Sequence, residues 1–231
     1  MKSVAIIPAR GGSKRIPRKN IKDFAGHPIL YYSIMAALDS GCFDEVMVST
    51  EDREIADVAR ACGAAVPFMR TPATAHDMSM LADVIEEVLL EYRRRQTDWP
   101  FFCCLLPTAP FTTAERVREA KRLLLDREAD SVVPVTRFSY PIQRALRENA
   151  AGLMEMFWPE NYNRRSQDLE PAFHDCGQFY WMKSGSLFAQ KKLFAQKTVG
   201  LEVPESEVQD IDNEEDWKIA EMKYRFLRGK V

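Results

Sequence analysis

Several common signposts are missing from this chain. Its 231 residues contain no GxGxxG turn and no GxxxxGK[ST] loop. That excludes the two commonest glycine-built phosphate sites. The five cysteines (Cys42, Cys62, Cys103, Cys104 and Cys176) are odd in number and form no CxxC pair. A disulfide framework and a cysteine zinc site are therefore excluded, and a reducing, cytoplasmic setting is expected. His27, His76 and His174 are scattered, which speaks against a three-histidine metal site. The longest apolar run, FFCCLL at 101–106, is far shorter than the ~20 residues that span a bilayer. Val4 to Ile7 is too short for the apolar core of a signal peptide, which needs about 7–15 residues. No membrane association is expected. Charge of one sign is also lacking: 32 Lys and Arg oppose 34 Asp and Glu, for a net charge of −2. A general nucleic-acid binder carries a clear positive excess, so no nucleic-acid partner is expected.

What is present is a rhythm. SVAIIP (3–8) is continuous, apolar and β-branched, the mark of a buried parallel strand. Residues 28–40 form a helix pattern with Pro28 at the start and Gly41 past the end. EVMVST (45–50) is a second strand, and 51–62 a helix with Thr50 as its expected N-cap. AAVPFM (64–69) is a third strand, 79–95 an amphipathic helix, and FFCCLLP (101–107) a fourth strand. Residues 112–127 open with Thr112 and Glu115 in capping-box spacing, and DSVVPV (130–135) is a fifth strand. Strand and helix alternate, which predicts an α/β fold with a mostly parallel sheet and helices on both faces. The rhythm breaks at 136–177, which reads as an antiparallel insertion. Residues 178–183 and 198–203 read as strands rejoining the sheet, and 213–228 as the closing helix. The expected organisation is a core over 1–135, an insertion over 136–177, and completion of the core over 178–231.

The first strand runs into ARGGSKRIPRKN (9–20). Ligands of open α/β sheets bind beyond the carboxyl ends of the strands. The glycines Gly11 and Gly12 let successive N–H groups turn toward one anion. Arg10, Lys14, Arg15, Arg18 and Lys19 add charge and forked donors. The residues alone leave two readings open: a triphosphate cradle, or a solvated basic loop facing an anionic protein surface.

The stretch IPARGGSKRIPRKNI resembles the N-terminal signature of the CMP-sugar synthetases that activate sialic-acid-like, nine-carbon sugars. The resemblance continues through LDSGCFDEVMVSTEDREIADVARACGA, LPTAPF and QDIDNEEDW. NRRSQDLEPAFHDCGQFYW is most similar to the branch acting on pseudaminic acid. The resemblance implies a Rossmann-like fold of the nucleotide-diphospho-sugar transferase type. It also implies transfer of CMP from CTP to the anomeric hydroxyl of a nonulosonic acid, with release of pyrophosphate. Carried over by motif, Arg10, Lys14 and Lys19 become catalytic phosphate holders. Ala9, Gly11, Gly12, Ser13 and Asn20 become CTP neighbours. The family's cytosine pocket falls in RTPATAHDMS (70–79), which nominates Arg70 and Asp77.

Asp210 and Asp212 in QDID stand two apart, and in extended backbone such residues point the same way. Two facing carboxylates suit Mg²⁺, whereas Asp212 as a cap of the final helix is the plainer alternative. The resemblance assigns the pair to catalytic Mg²⁺. On the sugar side, Arg164 and Arg165 suit a carboxylate. Thr108 and Gln178 join them, and His174 is a further candidate. A surface loop with exposed arginines is the alternative reading. Leu106 stands where the sialic acid branch carries a sugar-binding glutamine, and Asp175-Cys176-Gly177 where it carries Asn-Gly. Both weaken an N-acetylneuraminate substrate. The rivals are an N-acylneuraminate (sialic or legionaminic acid) or a deoxy-octulosonate cytidylyltransferase and, among non-enzymes, a nucleotide-binding regulatory domain. Phe138, Tyr140, Ile142, Phe157 and Trp158 make the insertion too apolar to stand alone. Together with the resemblance they predict a homodimer built through 136–177.

Overall fold

The computed structural model describes residues 1–75 and 79–229. The chain opens with β1 (Ser3–Pro8). After the basic loop comes a small ribbon of β2 (Asp23–Phe24) and β3 (His27–Pro28). Then follow α1 (Ile29–Ser40), β4 (Glu45–Ser49), α2 (Arg53–Ala61), α3 (Leu81–Arg94), β5 (Phe101–Leu105), α4 (Ala114–Asp126) and β6 (Ser131–Arg137). The excursion holds β7 (Leu146–Glu148), β8 (Met154–Met156) and β9 (Phe173–Asp175). The chain returns through β10 (Phe179–Lys183), α5 (Ser184–Gln190), β11 (Thr198–Glu202) and α6 (Glu214–Leu227).

The central sheet runs β11-β6-β10-β5-β1-β4, with β9 paired to the far end of β6. β1 is parallel to both β4 and β5, and β11 is parallel to β6. β10 lies between β5 and β6 and runs against both. The mostly parallel expectation holds, with one reversed strand in the middle. Side chains alternate between faces as strand geometry requires. Ala5 and Ile7 pack under α1, α2 and α4 with Leu30, Ile55, Val117 and Trp181. Val4 and Ile6 pack under α3 and α5 with Ile85, Leu89 and Leu187. Trp181 of β10 is fully buried in the core.

A third cluster lies outside the two sheet faces. Ile16 of the basic loop, Phe24, Ile29, Phe111, Ile211, Trp217 and Ala220 are buried together. Phe24 sits edge-on to Tyr32, Trp217 and Tyr224. This cluster seats α6 and the segment before it beside the basic loop.

Some local expectations are corrected. Residues 64–69 contribute a single bridge, Met47 to Ala65, because Pro67 has no N–H to extend a ladder. The N-cap of α2 is Asp52, whose carboxylate accepts the Ile55 N–H, not Thr50, whose hydroxyl accepts the Asp52 N–H. The N-cap of α4 is Thr113, which accepts the Arg116 N–H, not Thr112. Helix α5 is short and was not signalled. The insertion is antiparallel in its β7–β8 pair, and it leaves Tyr140, Leu153, Met154, Phe157 and Trp158 exposed. Among the described residues no helix is long and apolar enough to cross a membrane.

Ile211 is 1% exposed. Ile211→Ala is expected to cost about 3 kcal/mol, as for a buried aliphatic truncation, read as a lower urea midpoint. A loss below about 1 kcal/mol would show that Ile211 is not the anchor of its segment.

Candidate active site

The basic loop is tied down at several points. Beyond β1 the Ala9 N–H donates to the Ser49 carbonyl. The Gly11 N–H donates to Glu51 Oε1 at 2.6 Å. The Asn20 amide closes the loop from behind on the Arg10 carbonyl at 2.8 Å. Arg18 has a left-handed backbone, φ 55°, and its guanidinium pairs with Asp52 and Glu54. A Cβ on Gly11 would lie 2.6 Å from Asp52 Oδ2, while Gly12 has nothing within 4 Å of the same position. Glycine is thus required at 11 by close approach.

The far end of the chain meets this loop. Arg15 donates through both terminal nitrogens to the Asp212 carboxylate, at 2.9 and 2.8 Å. The Lys19 ammonium donates to the Ile211 carbonyl at 2.6 Å and stands 4.0 Å from Asp212. Burial lowers the Lys19 ammonium below the usual lysine range, with Asp212 and Asp210 opposing that shift. Asp212 does not cap α6. Asn213 does, in a full capping box with Asp216, so the Asp212 carboxylate is left to the loop.

A cavity of about 290 Å³ opens here. Its walls include Arg10, Ser13, Lys14, Arg15, Lys19, Asn20, Arg70, Leu106, Thr108 and Asp212. Most residues nominated for the nucleotide therefore meet in one place, and Thr108, nominated for the sugar, joins them. Ala9 is buried in the core just beyond β1, and neither Gly11 nor Gly12 is a wall. Asp77 lies outside the described residues. Arg70 is nearly fully buried, with Nε on Ser49 Oγ at 3.1 Å and Nη2 on the Ser49 carbonyl at 2.5 Å. Burial lowers its guanidinium from the usual arginine value, with Glu51 and Glu87 pulling back. Arginine keeps its charge through such shifts, so a fixed fork of donors borders this cavity.

A second cavity of about 540 Å³ is walled by Leu106, Thr136, His174, Asp175, Cys176, Gly177, Gln209, Asp210 and Lys223, among others. Leu106 borders both cavities, so they adjoin. The two acids divide between them: Asp212 borders the first and Asp210 the second. Asp175 is a wall that sequence reading passed over. Its carboxylate accepts the Gly177 N–H at 2.8 Å and the Tyr180 hydroxyl at 2.6 Å. The Asp-x-Gly turn, with Gly177 at φ 59°, was the available signal. Burial pushes the Cys176 thiol up to about 12, so it is a neutral wall and not a nucleophile.

Three sugar-side candidates stand elsewhere. Gln178 is buried, and its amide donates to the Glu207 carbonyl at 2.7 Å, which fixes the 205–208 rim of the second cavity. Arg165 pairs with Asp168 at the surface, and Arg164 donates to the Asp168 carbonyl at 2.7 Å. Neither arginine is a wall of either cavity in its own chain.

A family model described as "Cytidylyltransferase" matches residues 4–168. The chain belongs to the cytidylyltransferase family. It is 38% identical over 225 residues to the pseudaminic acid cytidylyltransferase of Campylobacter jejuni, covering 97% of each chain. It is 32% identical to the CMP-N,N'-diacetyllegionaminic acid synthase of Legionella pneumophila, covering 96% of this chain and 95% of that one. The structure of a CMP:2-keto-3-deoxy-manno-octonic acid synthetase complexed with CTP superposes with a TM-score of 0.69 at 17% identity. That likeness covers 99% of this chain and 100% of that one, and it establishes the fold. In this cytidylyltransferase the loop of 9–20 and the segment of 210–212 form one charged surface facing two adjoining cavities. Such a surface can compensate several phosphate charges while a second molecule sits alongside.

Asp52 is held by Arg18 and by the Ile55 N–H, so it cannot swing away from a new methyl group. Gly11→Ala is expected to cost about 1–3 kcal/mol by overpacking, whereas Gly12→Ala leaves the melting midpoint unchanged. Equal midpoints for the two variants would refute the close approach.

Proposed function

We propose that this cytidylyltransferase transfers CMP from CTP to the anomeric hydroxyl of a nonulosonic acid of the pseudaminic type and releases pyrophosphate. The observation that carries the reading is the first cavity, where Arg10, Lys14 and Lys19 share walls with Asn20, Arg70 and Asp212. The three cations are placed to compensate the triphosphate, as phosphoryl transfer demands. Asn20 suits the ribose. Arg70 presents donors only, which suits the acceptor edge of a cytosine. The acceptor sugar takes the second cavity, across Leu106. Its anomeric oxygen forms a bond to the α-phosphorus as the bond to the leaving pyrophosphate breaks, and the hydroxyl proton is released to water.

Asp210 and Asp212 are proposed to hold Mg²⁺. Among the described residues no group of three or more His, Cys, Asp or Glu forms a cage. Magnesium is commonly bound by one or two carboxylates plus substrate phosphates and water, so the donor set fits. Asp212 already accepts a cation, the exposed Arg15 guanidinium. When bound, the metal supplies positive charge against the leaving pyrophosphate. All five cysteines are free, which supports a reducing cytoplasm as the place of work.

Pseudaminic acid is favoured by the 38% relative and by Leu106, which offers no hydrogen bond at the border of the two cavities. The 32% relative favours legionaminic acid as the second reading. Pyrophosphate release with CTP, Mg²⁺ and a panel of nonulosonic acids decides between them. Pseudaminic acid is expected to give the highest kcat/KM, by about tenfold or more over N-acetylneuraminate, the size of one lost or unpaired hydrogen bond. A preference for legionaminic acid selects the second reading. No pyrophosphate with any sugar rejects both and favours a regulatory nucleotide binder.

We further propose that residues 136–177 form the main contact of a homodimer. Leu153, Met154, Phe157 and Trp158 are exposed on the single chain, and large apolar residues exposed together in one segment commonly mark an interaction site. A two-fold contact would cover them and would carry Arg164 and Arg165 toward the partner's second cavity. Light scattering is expected to give twice the 26.5 kDa chain mass. Trp158→Asp is expected to give a monomer that still binds CTP but turns over little sugar. A fully active wild-type particle of 26.5 kDa would defeat the proposal.

A further inference from the structure

The connection from β4 to α2 carries Glu51 and Asp52, the first turn of α2 carries Glu54, and all three reach the basic loop. Asp52 and Glu54 hold Arg18 near the loop's end. Glu51 holds the loop's beginning through the Gly11 N–H at 2.6 Å. The cavity-lining residues Ser13, Lys14 and Arg15 lie between these two anchors in the chain. Asp52 has separate employment as the N-cap of α2. Glu51 has none: it caps no helix and borders neither cavity.

The second oxygen of Glu51 is the informative atom. Oε2 is buried, and no hydrogen-bond donor reaches it. Buried polar atoms are almost always paired, so this one stands out. Its nearest cation is Arg70, whose Nη1 stands 3.9 Å away. Arg70 is itself fixed from its other side by Ser49. One carboxylate thus touches the Gly11 turn with one oxygen and faces the Arg70 guanidinium with the other. The residues flanking that turn, Arg10 and Ser13, and Arg70 itself are all walls of the first cavity.

We propose that Glu51 is a positioning residue that fixes the separation between the phosphate-holding loop and Arg70, and so sets the affinity for CTP. The proposal rests on the reading of the first cavity as a CTP site. Preorganisation of this kind lowers the cost of ordering the site when ligand arrives. It acts on ground state and transition state alike, so its loss raises KM and leaves kcat in place.

The test uses Glu51→Ala, Glu51→Gln and Lys19→Ala, with CTP affinity measured by calorimetry and steady-state kinetics at saturating sugar. Glu51→Ala is expected to raise both Kd and KM for CTP about tenfold, with kcat within about threefold. Glu51→Gln keeps an acceptor for the Gly11 N–H and loses the charge facing Arg70, so it is expected to fall between wild type and Glu51→Ala. Wild-type affinity in Glu51→Ala, with weakened binding in Lys19→Ala, overturns the positioning role and spares the CTP site. Wild-type affinity in both variants overturns the CTP site itself. Glu51→Gln matching either wild type or Glu51→Ala shows that only one oxygen matters and overturns the coupling. Parallel falls in kcat, affinity and melting midpoint mark a merely structural residue and overturn it as well.

Discussion

Ile16 and Ile211 come from opposite ends of the chain, yet both are buried in one cluster with Phe24 and Trp217. The charged groups beside them meet because of that packing. Burying an aliphatic side chain is worth about 1.5–3 kcal/mol. The Arg15–Asp212 pair joins the same two segments, but its side chains are 68% and 42% exposed, and exposed pairs contribute about 0–1 kcal/mol. The apolar cluster therefore makes the join, and the ion pair registers it. Asn213 and Asp216 complete the arrangement by capping α6 without drawing on Asp212.

The same division of labour runs through the site. The loop cations facing the first cavity are exposed or only partly buried, while Arg70 and Asn20 beside them are buried, and each support is fixed in turn. Arg70 is held by Ser49, Asn20 by the Arg10 carbonyl, and Gly11 by Glu51. The second cavity follows the pattern, with Asp175 fixed by Tyr180 and Gly177, and its rim by Gln178. Among the described residues Leu106 alone borders both spaces, which puts an apolar group where the two substrates of the proposed transfer would touch.

Much of the fold was legible because its signals are local. The β-branched run of 3–8 is β1 and the apolar run of 101–107 contains β5, and Gly41 does end α1. The basic loop was legible as the charged wall of a cavity because residue type and position agreed. What escaped depends on distant partners. Whether Thr50 or Asp52 caps α2 is settled by which oxygen reaches Ile55. That 64–69 forms one bridge and no strand is settled by a proline and by the edge position of β4. The division of Asp210 and Asp212 between two cavities, and the partnership of Glu51 with Gly11, require contacts that no spacing encodes. Arg164 and Arg165 look like ligands for a carboxylate by type, and on a single chain they are surface residues tied to Asp168 and its carbonyl.

The reversed strand carries a consequence for the order of assembly. β10 fills the middle of the sheet, between β5 and β6, and it arrives only after the excursion of 138–178 has been made. Until then β5 and β6 each present an open edge to the gap where β10 belongs. Open strand edges recruit whatever strand is nearest, and closing a long loop onto them is slow. A nascent or truncated chain ending before residue 179 therefore holds an interrupted sheet with two sticky margins. Solubility during synthesis depends on the late segment arriving before another chain does.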